Sequence, residues 1–591
     1  MTESKTSNAL PKSSTLDNGA DSTEAVETPA NQNPFAGKGS QFWLVFLALC
    51  VSCFLSALDL TAVSTALPAS EFSTLATRSV SGYLRVKGTD PNAICHCAVA
   101  AEFQSTEFSW VGSAYALTST ALIPWTGGFA AIFGRKATML GSLALFAIGS
   151  AVVGSAHTME IVILGRAIQG IGGGGILTMT EIVVVDLVPL AERGAFFGIF
   201  GAVWAFASAI GPPIGGALAS AGAWRWLFYL NLPLTGVAAV LVIFFLRIKA
   251  PQTTLKEKLA QMDYFNLVFV AGATSTILGL TWGGVTYSWS SYEVLVPLII
   301  GLSLMGLFLW LEKTYAKYPT VPFDVLRHRS SLLGFMATFL HGIVTLAAIY
   351  YMTVYFQASK MATPVKAGVD TFSLSLILFW LRSTIAPMAI VTGVSIGILG
   401  TYRKQNLFGW ALAMIGFGLT SMLKYNSSKA AWTGPIIAGI GMGILYSATN
   451  FPVLAPLKPS QQPHAMAFFA FVRSFGQVLG ISIGSTILQN QLAKNLPEAF
   501  LAMFHGNAEI AFPAIPIIPT LAEPIRSQVR GAFALSLRVI WLVMIGISGL
   551  GLIISFFLRD IELTKEMDDK WGMSDKQEGT SAAAEMVEQR V

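Results

Sequence analysis

Fourteen separate stretches of this chain are long and apolar enough to need hydrocarbon around them, and that feature removes most folds from consideration. An α-helix rises about 1.5 Å per residue, so roughly 20 apolar residues cross the core of a bilayer. The stretches run 43–67, 109–131, 137–156, 161–185, 195–219, 226–247, 263–282, 293–314, 332–356, 375–400, 408–423, 431–454, 465–489 and 532–558. Backbone polar groups facing lipid must bond within their own segment, so each stretch is expected to be a helix. Hydrophobic residues make up 53% of the chain and charged ones 12%, about half the charge that a soluble domain carries. That is too little to coat a water-soluble fold. The expected fold class is an all-α polytopic membrane protein.

An even number of crossings puts both tails on one side. With the tails inside, the inner loops hold the basic pairs Arg135–Lys136 and Arg403–Lys404, with Arg193, Arg247, Lys249, Lys256, Lys258 and others. The outer loops hold fewer cations, Arg225, Lys360 and Lys424 among them. The bias follows the positive-inside rule, so both termini are expected to be cytoplasmic. The sequon at Asn426 then falls outside and is a glycosylation candidate.

The expected domains are a solvated tail over 1–40, a first six-helix half over 41–247, and a linker with two additional helices over 248–315. A second six-helix half over 316–558 and a tail over 559–591 follow. The first tail is rich in Ser, Thr, Asn and Pro and has no apolar run of signal-peptide type. Segments 70–99 and 377–384 break the pattern, the second by placing Arg382 inside a span; both read as insertions or as retained intron sequence. The net charge of +5 sits mostly in loops and tails, which is no nucleic-acid footprint. The four cysteines, Cys50, Cys53, Cys95 and Cys97, are too few for a disulfide framework and lack a strong metal spacing.

Ionisable groups at membrane depth are the candidate site residues, because they are expensive there. Asp59 in the first span is a proton carrier or ligand contact, or else a structural acid anchoring its helix. Arg166 reads as an interior cation, with Gln169 nearly one turn on and the run Gly172 to Gly175 beyond. Glu181 lies deeper in the same span and is a further proton-coupling candidate, with Asp186 at the inner rim. Gln169, Arg473 and Gln477, the last two one turn apart in the thirteenth span, Tyr351 in the ninth and Gln357 just past it are candidates for lining a substrate cavity. His341 reads as a packing histidine.

The second span runs from Gly127 to Gly134-Arg135-Lys136, a glycine turn followed by cations that either anchor topology or latch a gate. The fifth carries Gly211-Pro212-Pro213-Ile214-Gly215-Gly216, a hinge or tight-contact element. Trp224-Arg225-Trp226 reads as an interfacial anchor. The sequence offers no metal cluster, no catalytic set and no nucleotide motif, so a pump built this way draws on an ion gradient rather than on a cofactor.

Taken together, Leu58-Asp59-Leu60-Thr61 with Ala66-Leu67-Pro68, Phe108-Ser109-Trp110 with Ala114-Tyr115, Gly127 to Lys136 and Arg166 with Gln169-Gly170 resemble the major facilitator superfamily. Gly211 to Gly216, Trp224 to Pro233 and Trp282 to Trp289 add to the match. Within that superfamily the chain is similar to the fourteen-span drug:proton antiporters of fungi that export mycotoxins and related metabolites. The resemblance implies two six-helix halves with two central extra helices, rocking around a cavity. It implies proton transfer at Arg166 and export from the Gly211–Gly216 motif. The acid that this family places at position 131 is Ala131 here, so a gate charge interaction is weakened or replaced. The implied partners are protons, a small amphipathic organic substrate and the lipid bilayer, in a monomer at the plasma membrane, with the vacuolar membrane as the alternative. A siderophore-iron transporter and a non-transporting sensor or scaffold are the rival readings.

Overall fold

The computed structural model describes residue 35 and residues 38–66, 109–248, 254–284, 287–316, 319–321, 323–362, 385–428, 433–502 and 514–564. Segments 70–99 and 377–384, Cys95, Cys97, Arg382 and most of both tails lie outside them. Among the described residues every named element is helical. The first set is α1 (Ser40–Ala66), α2 (Ser109–Ala121), α3 (Ile123–Phe133), α4 (Arg135–Gly154), α5 (Met159–Leu187), α6 (Leu190–Ser220) and α7 (Asn231–Phe245). Then come α8 (Asn266–Trp282) and α9 (Tyr292–Tyr315). The second set is α10 (Arg329–Val354), α11 (Ile385–Leu399), α12 (Arg403–Thr420), α13 (Thr433–Ala448), α14 (Gln462–Asn495) and α15 (Ile525–Phe556).

Each apolar stretch read from the sequence overlaps one of these helices, the second α2 and α3 together and the tenth only over Ile385–Leu399, since 375–384 lie outside the described residues. Among the described residues ten helices are long and apolar enough to cross a membrane, and α2 with α3, bent by 48°, can make an eleventh. Pro124 stands in the first turn of α3; it has no N–H to carry the hydrogen-bond ladder through from α2. The remaining three, α8, α11 and α12, are shorter or more polar, and α12 opens with Arg403, Lys404, Gln405 and Asn406. In α9 the exposed side chains include Leu295, Val296, Ile299, Ile300, Leu302 and Trp310, a surface that only lipid could cover at low cost.

Three contacts tie the residues just before α1 and just after α15 to one end of the bundle. Lys38, before α1, reaches Glu192 in α6 at 2.8 Å. Its neighbour Ala191 packs on Gly397 of α11. Just beyond α11, the Tyr402 hydroxyl donates to the Arg559 carbonyl at 2.7 Å, after α15. This end is called the termini face below. Gly134, at φ 92°, makes the turn from α3 to α4 there in a backbone region that side chains disfavour.

Two sequence expectations need correction. Arg193 is no loop cation: it is buried, donating to the Val185 and Val188 carbonyls at 2.7 Å each. Trp224 is 1% exposed, packed beneath Arg225, while Trp226 is 62% exposed; only one of the two indoles can anchor at an interface. The helix α6 runs unbroken through Gly211, Pro212, Gly215 and Gly216.

Candidate functional site

The glycine run of α5 sets up the first site. Gly170 lies on the Tyr115 backbone of α2, Gly172 on the Phe146 backbone of α4, and Gly174 on the Ser119 backbone, each so close that a Cβ would collide. Small residues allow this approach, and the turn of α5 just before it is buried as deeply. Arg166 and Gln169 stand on that turn, 1% and 0% exposed, and Asp59 of α1 faces them.

Four side chains close around the Asp59 carboxylate. Arg166 Nη1 donates to Oδ2 at 2.6 Å, and Gln169 Nε2 and Asn231 Nδ2 donate to Oδ1 at 2.9 and 2.8 Å. Ser150 accepts from Gln169 at 2.8 Å. Arg166 also donates to Gln169 Oε1 at 2.7 Å and to the Val111 carbonyl at 2.9 Å, and its guanidinium lies 4.4 Å from the centre of the Tyr115 ring. Desolvating such charges is tolerable because the pair is neutral and nearly every lone pair and proton has a partner. Asp59, Arg166 and Gln169 were each legible in the sequence, though Gln169 belongs to the ion pair rather than to an open wall. Asn231 and Ser150 were missed; the available signal was an amide at the start of an apolar run. Replacing Asn231 with Ala removes one donor to a charged acceptor, a loss of about 1.5–3 kcal/mol. A lower unfolding midpoint in detergent than for wild type is the expected result, and no change would mean water replaces the amide.

Glu181, further along α5, makes a second site. It pairs across the seam between the helix sets with Arg473 of α14, whose guanidinium lies 5.4 and 5.3 Å from the Tyr446 and Phe469 ring centres. Glu181 Oε2 is buried with no hydrogen-bond partner among the described residues. His341 packs beside Tyr446, its Nε2 3.1 Å from the Met442 carbonyl. The other cavity candidates are not gathered here. The Tyr351 hydroxyl donates to the Ile481 carbonyl at 2.6 Å, about 12 Å along α14 from Arg473. Gln357 sits half-buried in the π-helical turn Tyr355–Ser359, and Gln477 is half-buried one turn beyond Arg473.

At the termini face the seam is shut. Arg193 Nη1 donates across it to Gln462 Oε1 at 2.6 Å. A Cβ on Gly127 would lie 2.5 Å from the Ala467 Cβ, and the backbones of Gly194 and Gly393 touch. Arg135 donates to Asp186 at 2.8 Å and to the Ala130 carbonyl at 2.7 Å. The acid missing at Ala131 is thus not needed to hold Arg135, because Asp186 does so from the end of α5. Lys136 caps the Ile243 carbonyl at 2.6 Å. On α6, Gly211 and Gly215 are buried, while the side-chain surroundings of Pro212 and Gly216 lie outside the description. Asn426 is exposed in the turn after α12.

Residues 49–481, which carry both charge pairs and most of the seam, match the model of the Major Facilitator Superfamily. The chain belongs to the Major Facilitator Superfamily. Among fungal relatives of this facilitator, "MFS transporter L2" of Phoma sp. is 35% identical over 552 residues, 93% of this chain and 87% of the relative. "Efflux pump FUS6" of Gibberella fujikuroi is 34% identical over 550 residues, 91% and 93% of the two chains. The solved human organic anion transporter MFSD10 (TETRAN) shares the fold, with a TM-score of 0.50 at 14% identity over 86% of this chain and 100% of that one.

Proposed function

We propose that this facilitator exports small amphipathic organic compounds in exchange for protons, by alternating access. The observation that carries the proposal is the Asp59–Arg166 pair, sealed among Gln169, Asn231 and Ser150 inside a membrane-spanning bundle. A proton arriving on Asp59 cancels the charge that holds Arg166, and the guanidinium must then find other partners. That rearrangement lies between α1, α5 and α7, whose relative positions set the shape of the first helix set.

The Glu181–Arg473 pair and the Arg193–Gln462 bond cross the seam, so a change in the first set alters what holds the two sets together. Opening at the termini face requires both to part, while Arg135–Asp186 stays within one set. Each charge crossing the membrane potential contributes about 2.3 kcal/mol per 100 mV, and a proton gradient adds its pH term. Ligand and proton are coupled only if each favours a different state of the same equilibrium.

Export rather than import is supported by the relative named an efflux pump. Asn426 follows α12, which starts beside Tyr402 at the termini face, and an α12 that crosses the membrane carries it to the other side. Cytoplasmic tails and an outward Asn426 at the plasma membrane make one arrangement. The deciding assay is export of a panel of fungal toxins and dyes from cells expressing the protein, with and without a protonophore. Extrusion that the protonophore abolishes is expected; extrusion that survives it removes proton coupling.

A further inference from the structure

The two helices between the sets carry acids that the transport reading does not use. Glu312, near the end of α9, is 1% exposed, and Asp263 stands just before α8. Both grip Thr320, in the strap that leads from α9 towards α10. The Thr320 and Val321 N–H groups donate to Glu312 Oε1, the second at 2.9 Å. The Thr320 hydroxyl donates to Asp263 Oδ2 at 3.1 Å, and Asn266 Nδ2 donates to the same oxygen at 3.0 Å.

Two polar atoms at this junction are left over. Glu312 Oε2 and Asn266 Oδ1 are buried, and neither has a hydrogen-bond partner among the described residues. Asn266 itself is 0% exposed. Thr320 brings the two carboxyls together, its N–H on Glu312 and its hydroxyl on Asp263. No Lys, Arg or His pairs with either acid among the described residues. Among the described residues the neighbouring contacts bring no counter-charge: α3 offers Gly128, α8 offers Asn266 and Phe269, and α14 offers Phe471. Two carboxylates held by one threonine, Glu312 buried and Asp263 half-buried, repel each other unless a cation or a proton lies between them.

We propose that Asp263 and Glu312 hold one proton between them, a second proton-binding site separate from Asp59. The shared proton removes one negative charge and gives Glu312 Oε2 the donor it lacks. It also fastens residues 319–321 to the α8–α9 pair, beside Gly128 of α3 and so next to the termini-face seal. Loss of the proton sets two carboxylates against each other across Thr320 and loosens that strap. The inference stands apart from the transport reading, because it needs no substrate.

The test uses the full chain in lipid nanodiscs. Infrared difference spectra taken from mildly acid to mildly alkaline pH should show a protonated-carboxyl C=O band in wild type that vanishes on alkalinisation. Glu312→Gln should abolish that band, and Asp263→Asn should do the same, so that one variant failing to fold leaves the other. Unfolding midpoints give an independent readout. The folded pair holds a proton that the unfolded chain releases, so wild-type stability falls as pH rises, and Glu312→Gln flattens that fall. Both variants keeping the wild-type band would overturn the proposal. So would a wild-type midpoint that climbs with added sodium or calcium chloride while that of Glu312→Gln does not, since a cation would then occupy the place of the proton.

Discussion

Asp59→Asn should reduce protonophore-sensitive export to background while the protein still reaches the membrane. Asparagine keeps the size of the side chain and a carbonyl oxygen for Arg166 Nη1, which now lies 2.6 Å from Asp59 Oδ2. What it loses is the titratable oxygen. It also leaves Arg166, 1% exposed, without its counter-charge, and removing one partner of a buried pair costs about 3–5 kcal/mol. Lower abundance is therefore part of the expected result, and export must be normalised to protein in the membrane. The double variant Asp59→Asn with Arg166→Gln separates the two effects. With both charges gone the buried-charge penalty disappears, so stability should recover most of the way, and export should not. Export that stays protonophore-sensitive in Asp59→Asn would take the proton role away from Asp59.

The membrane helices were legible because an apolar stretch of the right length has a single low-cost conformation in lipid. The network was legible only where a charge interrupted such a stretch. Asp59 and Arg166 stand out in apolar runs, and their pairing joins residues 107 apart. Arg193 did not stand out, because a cation near a span end reads as a topology signal; its partner Gln462 is 269 positions away. Nothing in the sequence announces that Asp186 serves Arg135 where position 131 is Ala131. Glu312 went unnoticed for the same reason as Arg193, since an acid beside a loop is ordinarily wet. Asn231 shows a further limit. A neutral amide at a helix start has many uses, and only packing against Ser150 and Asp59 selects one.

Of the seam glycines Gly127 stood in a sequence motif, but Gly194 and Gly393 gave no warning, and Gly393 supports the second large effect. Gly393→Val should abolish export while leaving insertion intact. Valine is at home in a membrane helix, so α11 itself has no reason to fail. A Cβ at position 393, however, runs into the backbone carbonyl of Gly194 and the amide of Ala195 on α6. Main-chain atoms cannot swing aside as a long side chain can, so the two helices must part. Overpacking of this kind costs about 1–3 kcal/mol, and each 1.4 kcal/mol is tenfold in an equilibrium. The population shut at the termini face should therefore fall by roughly five- to a hundredfold, taking the Arg193–Gln462 bond with it. A single cysteine at Ala195, 0% exposed beside Gly393, reports the change without adding a side chain to either glycine. It should resist a water-soluble thiol reagent in the otherwise wild-type chain and react with Gly393→Val. Gly393→Ala, with a smaller group in the same place, should fall between. If the valine chain resists the reagent and exports like its parent, then closing this seam is no part of the transport cycle.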